Sequence, residues 1–261
     1  MTTEPHPSGS PYTSYAAIGD SFTEGLNDPG ADGHFRGWAD RVAERLAALR
    51  PDFRYANLAV RGRLLDQIVE QQVPAAIELK PDLVSLCAGG NDLLRPGADP
   101  DRMAKTLARA VRDLRGAGAD VVLFTGVDPR DTPLMRQVRG RCAVFYLHVR
   151  SIADLYGCHL VDQWSMQALR DWRAWSEDRL HMNAEGHRFV AAKVCEVLGV
   201  PSQDDWRHIW PPREQVDRRA KLREDRLWVR EHLLPWVGRR LRGTSSGDTV
   251  TPKRPDLEPY A

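Results

Sequence analysis

The stretch Leu83-Val84-Ser85-Leu86-Cys87-Ala88 is the part of the sequence that decides the fold. This short apolar run stops at Gly89-Gly90, which is typical of a buried strand in a parallel sheet. Four other short apolar segments resemble it, and segments with apolar residues at helical spacing alternate with them. The predicted strands are 15–18, 53–60, 83–88, 121–124 and 159–161, and the predicted helices are 38–49, 64–79 with a boundary or kink near Pro74, 101–114, 136–156 and 183–198.

This alternation predicts an α/β fold in which helices cover both faces of a parallel sheet of about five strands. In such sheets, ligands bind beyond the carboxyl ends of the strands. The 261 residues allow one domain of about 200 residues and an extension. We predict a flexible N-terminus at 1–14, the α/β domain at 15–200, a helical extension at 201–243 and a disordered tail at 244–261.

The composition is that of an ordinary soluble globular protein, with 42% hydrophobic and 28% charged residues. The net charge of +1 gives no global reason to expect nucleic-acid or membrane binding. Residues 1–14 lack a signal-peptide pattern, and no apolar run is long enough to predict a membrane span. The chain has no CxxC pair, and we expect its four cysteines to be buried free thiols: Cys87, Cys142, Cys158 and Cys195. Because free thiols persist in a reducing compartment, we expect a cytoplasmic location.

Two distant segments contain the residue types of a serine hydrolase. Ser21 follows the first predicted strand and Gly19, and a serine hydroxyl needs a nearby base to become a nucleophile. His181 is the candidate base, and Asp178 could orient its ring. Taken alone, the Gly-Asp-Ser triplet is better explained by a helix N-cap than by a nucleophile. His187 is a rival base, but it has no acidic residue three places before it, and we interpret it as structural.

Candidate oxyanion donors lie between these segments. They are the amide of Ser21, the amide of Gly62 and the side-chain amide of Asn91 in Gly89-Gly90-Asn91-Asp92. A glycine at 62 lets the backbone approach a substrate closely, although a simple turn explains it equally well. Asn91 could also be a turn residue. We expect Asp92 to support the loop.

Together, these four motifs resemble the four blocks of the SGNH (GDSL) hydrolases, in the same order and over residues 15–199. The resemblance implies a flavodoxin-like three-layer fold. It also implies an active site in which Ser21, Gly62, Asn91 and His181 are the four namesake residues and Asp178 completes the triad. One departure is Phe-Thr-Glu at residues 22–24, where the family's name would place Leu.

The leading hypothesis is therefore a hydrolase of carboxylic esters that works through an acyl-Ser21 intermediate on a small-molecule ester. An acyltransferase or thioesterase could use the same triad. We expect no cofactor and no metal, because the histidines lack zinc-site spacing and the chain has no GxGxxG or P-loop. Trp164, Trp172 and Trp175 could line an acyl pocket, although core packing explains them equally well.

The C-terminal extension differs in composition from the rest of the chain. Residues 206–242 contain four of the eight tryptophans and eleven Lys or Arg against five Asp or Glu. We predict a helix with a kink at Pro235. Five apolar residues form an approximate stripe along it, and we expect this stripe to pack on the α/β domain. They are Leu222, Val229, Leu233, Val237 and Leu241. The alternatives for this helix are self-association and contact with an anionic surface. The alternative for the whole protein is a non-catalytic interaction protein that acts through this helix.

Overall fold

A six-stranded sheet forms the centre of the protein, which a computed structural model describes for residues 12–30, 33–132, 135–213, 217–242 and 244–260. The strands are β1 (Ser14–Gly19), β2 (Arg54–Asn57), β3 (Leu83–Cys87), β4 (Asp120–Phe124), β5 (His159–Val161) and β6 (Arg254–Pro259). Their order across the sheet is β5-β4-β3-β1-β2-β6. The first five strands are parallel, which confirms the prediction, and β6 pairs with β2 in the antiparallel direction.

Helices connect the strands and continue after them. They are α1 (Ser21–Glu24), α2 (Trp38–Leu49), α3 (Leu65–Leu79), α4 (Gly90–Leu93), α5 (Pro100–Gly116), α6 (Arg139–Tyr156), α7 (Ala184–Leu198), α8 (Arg218–Trp228) and α9 (Leu234–Leu241). Short 3₁₀ turns occur at Pro129–Asp131, Met135–Val138, Gln163–Ser165, Gln167–Arg170 and Trp172–Ala174. Helix α3 continues through Pro74, so there is no boundary at that residue. Among the described residues, no helix has the length and apolar character needed to cross a membrane.

Two hydrophobic cores lie on opposite faces of the sheet. Helices α3, α5 and α6 cover one face, and α2 and α7 cover the other. Because side chains alternate along a strand, Ala16 and Ile18 of β1 enter the first core while Tyr15 and Ala17 enter the second. The parallel strands have the flavodoxin-like order, and the three-layer α/β/α architecture is the expected one.

The C-terminal segment differs from the predicted disorder at 244–261. Its residues 254–259 form β6, whose Pro259 and Glu258 pair with Arg54 and Tyr55 of β2. Leu257 of the tail is buried in the domain, and Tyr260 packs edge-on against Tyr55 of β2. Pairing with the free edge of β2 supplies hydrogen bonds that a composition-based prediction does not detect.

The predicted flexible N-terminus at 1–14 lies mostly outside the described residues. Its last three residues belong to the α/β domain, because Tyr12 is buried and Ser14 begins β1. The Tyr12 hydroxyl donates a hydrogen bond to Asp120 at 3.2 Å, close to the start of β4. The domain therefore begins a few residues before the predicted boundary.

Residues 217–242, which we call the C-terminal arm, consist of α8, a π-helical turn at Val229–Leu233 and α9. The π turn ends two residues before Pro235, which has no amide hydrogen and would clash with the preceding turn of a regular helix. The predicted apolar stripe is not fully covered by the domain, since Leu222 remains 56% exposed. Val229 and Leu233, farther along the stripe, border a cavity beside the domain.

Candidate active site

Three of the sequence-predicted site residues meet at the carboxyl edge of the sheet. Ser21 follows β1, and Asn91 lies in the short helix that follows β3. The chain leaves β1 and β3 on opposite faces of the sheet, so a crevice opens between these neighbouring strands. His181 reaches the same crevice from the loop that precedes α7.

The start of α1 holds Ser21 at the top of β1. Asp20 caps this helix, and its carboxylate accepts a hydrogen bond from the Phe22 amide at 3.1 Å. At Gly19, a Cβ atom would lie 2.6 Å from the carbonyl oxygen of Cys87 on β3. A glycine is therefore required for β1 to end so close to its neighbour.

Ser21, His181 and Asp178 form a continuous chain of hydrogen-bonding distances. His181 Nε2 lies 3.0 Å from Ser21 Oγ, and His181 Nδ1 lies 2.7 Å from Asp178 Oδ2. The turn between the acid and the histidine is tight, with Arg179 in the left-handed region at φ 55°. The same turn lets Asp178 Oδ1 accept the His181 backbone amide at 2.9 Å. The three-residue spacing thus fixes the histidine through both its backbone and its ring.

The environment of Asp178 favours its ionised form. Burial opposes ionisation, but hydrogen bonds and the charge of His181 outweigh it and hold the pKa of Asp178 well below its usual range. The amide of Leu180 also donates to Oδ1 at 2.9 Å. A carboxylate that stays charged can hold a proton on the facing Nδ1 atom of His181 and leave Nε2 free to accept one.

Two groups of supporting residues were not identified from the sequence. The side chain of Gln72 pairs with both backbone groups of Gly19, at 2.8 and 3.0 Å. Asn27 Nδ2 donates to Asp178 Oδ2 at 2.8 Å, and Ser176 Oγ donates to Asp178 Oδ1 at 2.7 Å. Gln72 had a detectable signal, because it is a polar residue on the buried face of a predicted helix. Asn27 and Ser176 are 149 positions apart, and no local pattern connects them.

Asn91 lies beside Asp20 on the other side of the crevice. Its Nδ2 atom donates to Asp20 Oδ2 and to the carbonyl oxygen of Arg63, each at 3.1 Å. Burial raises the pKa of Asp20 to about 6. The neighbouring Asp92 accepts a hydrogen bond from the Leu65 amide at 3.0 Å, at the start of α3, which agrees with its expected role in supporting the loop.

Gly62 is not among the residues that line the crevice. It adopts a positive φ of 74°, which favours glycine, and the hydroxyl of Ser245 from the C-terminal segment occupies the space of a Cβ atom. A Cβ atom at this position would overlap Ser245. The structure therefore accounts for a glycine at position 62 by packing, and it does not bring this residue to the crevice lined by Ser21 and Asn91.

The crevice encloses a cavity of about 250 Å³ whose lining combines the polar residues above with apolar side chains. Trp172 and Trp175 are among the lining residues, together with apolar side chains from several elements: Phe22, Leu26, Leu93, Phe124, Tyr146, Leu169 and Met182. Trp164 packs against the core formed with α3, α5 and α6. Two of the three tryptophans considered from the sequence thus border the site.

His187 occupies a different environment from His181. Its ring is 1% exposed and stacks on Phe22, with the ring centres 6.0 Å apart. Its Nδ1 atom accepts a hydrogen bond from the Trp38 amide at 3.3 Å. Burial lowers the pKa of His187 to about 3, with a smaller contribution from the charge of Arg41. The ring is therefore neutral and is bound into the packing of α2.

The sequence of this domain matches a known family. The profile of the GDSL-like Lipase/Acylhydrolase family matches residues 17–189, about two thirds of the chain. The chain belongs to this family. The match confirms the expected resemblance, and it ends before the C-terminal arm begins.

Individual proteins are similar to this chain in sequence or in fold. Esterase TesA of Pseudomonas aeruginosa is 33% identical over 107 residues, which are 41% of this chain and 51% of that protein, so the match spans about half of the relative. An acetylxylan esterase, Axe2 from Geobacillus stearothermophilus, superposes with a TM-score of 0.59 at 21% identity, covering 76% of this chain and 97% of the other. LAE5, an alpha/beta hydrolase enzyme from a Lake Arreo metagenome, gives 0.60 at 23% identity over 73% and 96%. Family membership supports ester hydrolysis, and the likeness to the two solved structures shows the fold.

Proposed function

We propose that this protein hydrolyses carboxylic esters of small molecules through an acyl intermediate on Ser21. One observation carries the proposal: the hydrogen-bonded chain from Asp178 through His181 to Ser21, with distances of 2.7 and 3.0 Å. A nucleophile within reach of a base that a third group orients is the arrangement needed for acyl transfer.

In the first half of the reaction, Ser21 Oγ attacks the ester carbonyl carbon while His181 Nε2 takes the hydroxyl proton. Asp178 stabilises the imidazolium that forms, and its low pKa keeps it charged throughout. When the tetrahedral intermediate collapses, the bond to the alcohol oxygen breaks and His181 returns its proton to that oxygen. A water molecule then repeats the sequence on the acyl-Ser21 carbonyl and releases the acid.

The developing oxyanion needs donors that are already in place. We propose the amide of Ser21 and the Nδ2 atom of Asn91 as these donors. The amide of Gly62, the third donor expected from the motif order, does not line the crevice and stays a prediction of the family resemblance. Both hydrogens of Asn91 Nδ2 are engaged at rest, by Asp20 and by Arg63. Of these two partners, Asp20 lines the cavity, so the contact with Asp20 is the one that an oxyanion would replace.

The test compares purified wild-type protein with Ser21→Ala on a series of p-nitrophenyl esters of increasing acyl length. Loss of the nucleophile should lower turnover on the order of 10⁴-fold or more. Ser151→Ala, on the exposed side of α6, is the matched control and should retain full activity. A fluorophosphonate should label Ser21 in the wild type, and hydrolysis that persists in folded Ser21→Ala would refute the mechanism.

The same assay separates hydrolysis from the transferase alternative, because the two differ in the nucleophile that resolves the acyl-enzyme. We expect added alcohols to leave the acid as the main product. An ester of the added alcohol as the main product would favour an acyltransferase. A protein that is neither labelled nor active would favour the interaction-protein hypothesis.

A further inference from the structure

A second cavity of about 600 Å³ lies between the α/β domain and the C-terminal arm, and we call it the arm chamber. Trp172, Arg179, Leu180 and His181 line both the crevice and the arm chamber, so the two spaces are adjacent at these residues. The opposite wall comes from the arm, which lies beyond the residues matched by the family profile. A space of this size can hold an organic group as large as a typical drug molecule.

The wall of the arm chamber contains a set of aromatic and aliphatic side chains beside charged ones such as Lys221 and Glu231. Val229, Leu233 and Trp236 of the arm recur at spacings of three and four residues, which places them on one side of the helix. Trp172 of the domain and Trp228 of the arm also line this chamber. An apolar group that enters it would exchange water for ring and aliphatic surfaces.

The arginine on the turn that carries His181 is neutralised by a carboxylate of the arm. Arg179 Nη1 donates to Asp225 Oδ1 at 2.6 Å, and the guanidinium lies 5.9 Å from the ring centre of Trp172 and 5.3 Å from that of Trp228. The arm is therefore attached to the turn that carries His181. Since the ion pair and the rings satisfy this cation, it adds aromatic contact area rather than an open anion site.

The position of His181 shows which part of an ester the arm chamber can receive. The crevice is lined by Ser21, Asn91 and His181, whereas the arm chamber is lined by His181 and Asp178 without Ser21 or Asn91. Histidine returns its proton to the leaving alcohol, so the alcohol oxygen must lie on the His181 side of the carbonyl carbon. The acyl group then lies in the crevice, and the alcohol part extends past His181.

We propose that the arm chamber is the subsite for the alcohol part of the ester and that it selects bulky alcohols with an apolar, ring-containing surface. This inference rests on the proposed ester hydrolysis through Ser21. When the tetrahedral intermediate collapses, the C–O bond breaks, the proton on His181 Nε2 goes to the alcohol oxygen, and the neutral alcohol leaves through the arm chamber. The acyl group remains on Ser21 for attack by water.

The experiment compares two butyrate esters of primary alcohols, ethyl butyrate and naphthylmethyl butyrate. Leu233→Trp fills the chamber from its arm wall and leaves Ser21, His181 and Asp178 in place. We expect it to lower kcat/KM for naphthylmethyl butyrate by roughly tenfold or more while ethyl butyrate changes little. Naphthylmethanol should inhibit the wild type competitively and the variant less. Leu234→Trp is the matched control, since Leu234 is 59% exposed and does not line the chamber.

A second variant, Val229→Trp, repeats the test in case Leu233→Trp fails to fold, and it should discriminate against the same ester. Equal losses on both butyrates would overturn the subsite. So would a change in preference between ethyl butyrate and ethyl hexanoate, because that result would assign the chamber to the acyl group. Both outcomes leave Ser21-dependent ester hydrolysis by the wild type intact. A wild-type protein that hydrolyses no ester and is not labelled at Ser21 would instead overturn the proposed function itself.

Discussion

The indole nitrogen of Trp228 donates a hydrogen bond to the backbone carbonyl oxygen of Asp178 at 2.9 Å. This contact joins the C-terminal arm to the residue whose carboxylate faces His181 Nδ1. The two residues are 50 positions apart, and Trp228 lies outside the part of the chain that matches the family profile. The arm is thus part of the support of the proposed catalytic turn.

Removing this one hydrogen bond should therefore slow the chemistry. Trp228→Phe keeps an aromatic ring for Arg179 but loses the indole N–H group. A hydrogen bond contributes about 1 kcal/mol, so we expect kcat on ethyl butyrate to fall about fivefold with little change in KM. Trp206→Phe is the control, because the Trp206 indole donates to Glu196 on the surface, away from Asp178. Equal kcat values for the two variants would remove Trp228 from the support of the turn.

Asn91 is expected to contribute to the transition state rather than to the fold. Asn91→Ala should lower kcat roughly 10²- to 10³-fold and change KM less, because an oxyanion donor acts mainly on the charge that develops during the reaction. Asp92→Ala is the neighbouring control. Its carboxylate accepts a hydrogen bond from the Leu65 amide at the start of α3. The Asp92→Ala variant should therefore have a lower melting temperature than the wild type and a kcat much closer to the wild-type value than that of Asn91→Ala. An unchanged kcat in Asn91→Ala would reduce Asn91 to a turn residue.

Local patterns were sufficient to predict the parallel strands and the site segments. A buried strand that ends at a glycine is visible in a window of six residues, and the Asp178–His181 pair lies within one turn. Strand β6 was missed because pairing at a sheet edge depends on backbone groups, which its polar composition does not reveal. The arm chamber was missed for a different reason. Its walls come from distant segments, and a stripe such as Val229 and Leu233 does not indicate the surface that it faces.

The C-terminal segment should stabilise the domain through one buried ion pair. Lys253 Nζ donates to Asp40 Oδ2 at 2.6 Å and to the carbonyl oxygens of Glu24 and Phe35 at 2.7 Å each. Burial raises the pKa of Asp40, and Lys253 opposes that shift. Lys253→Met leaves a buried carboxylate unpaired, so we expect the free energy of unfolding to fall by about 3–5 kcal/mol.

Denaturant unfolding at neutral pH measures this change. The control is Arg102→Met, because the ion pair of Arg102 with Asp66 is exposed and contributes at most about 1 kcal/mol. In the double variant Lys253→Met with Asp40→Asn, part of the lost stability should return, since the uncompensated charge is gone. A Lys253→Met protein as stable as the Arg102 variant would show that the segment does not stabilise the domain through this ion pair.

His181, before α7, should govern activity, whereas His187, within α7, should govern stability at acid pH. His187 has a pKa of about 3 in the folded protein because it is buried, whereas an unfolded histidine titrates near 6.5. Between these two pH values the unfolded state binds more protons, so the free energy of unfolding decreases as the pH falls below about 6.5. At pH 5.5 the contribution of His187 should have decreased by about 1.4 kcal/mol.

His187→Asn keeps an acceptor for the Trp38 amide but does not titrate, so its stability between pH 7.5 and 5.5 should lose about 1.4 kcal/mol less than that of the wild type. Its esterase activity should remain within a few-fold of the wild type, because the ring does not pair with Asp178 or Ser21. His181→Asn should show the reverse, with activity reduced as strongly as in Ser21→Ala and the acid sensitivity of the wild type retained. Denaturant unfolding at the two pH values and ester hydrolysis at pH 7.5 measure both properties. An inactive, folded His187→Asn protein beside an active His181→Asn protein would show that the base has been assigned to the wrong histidine.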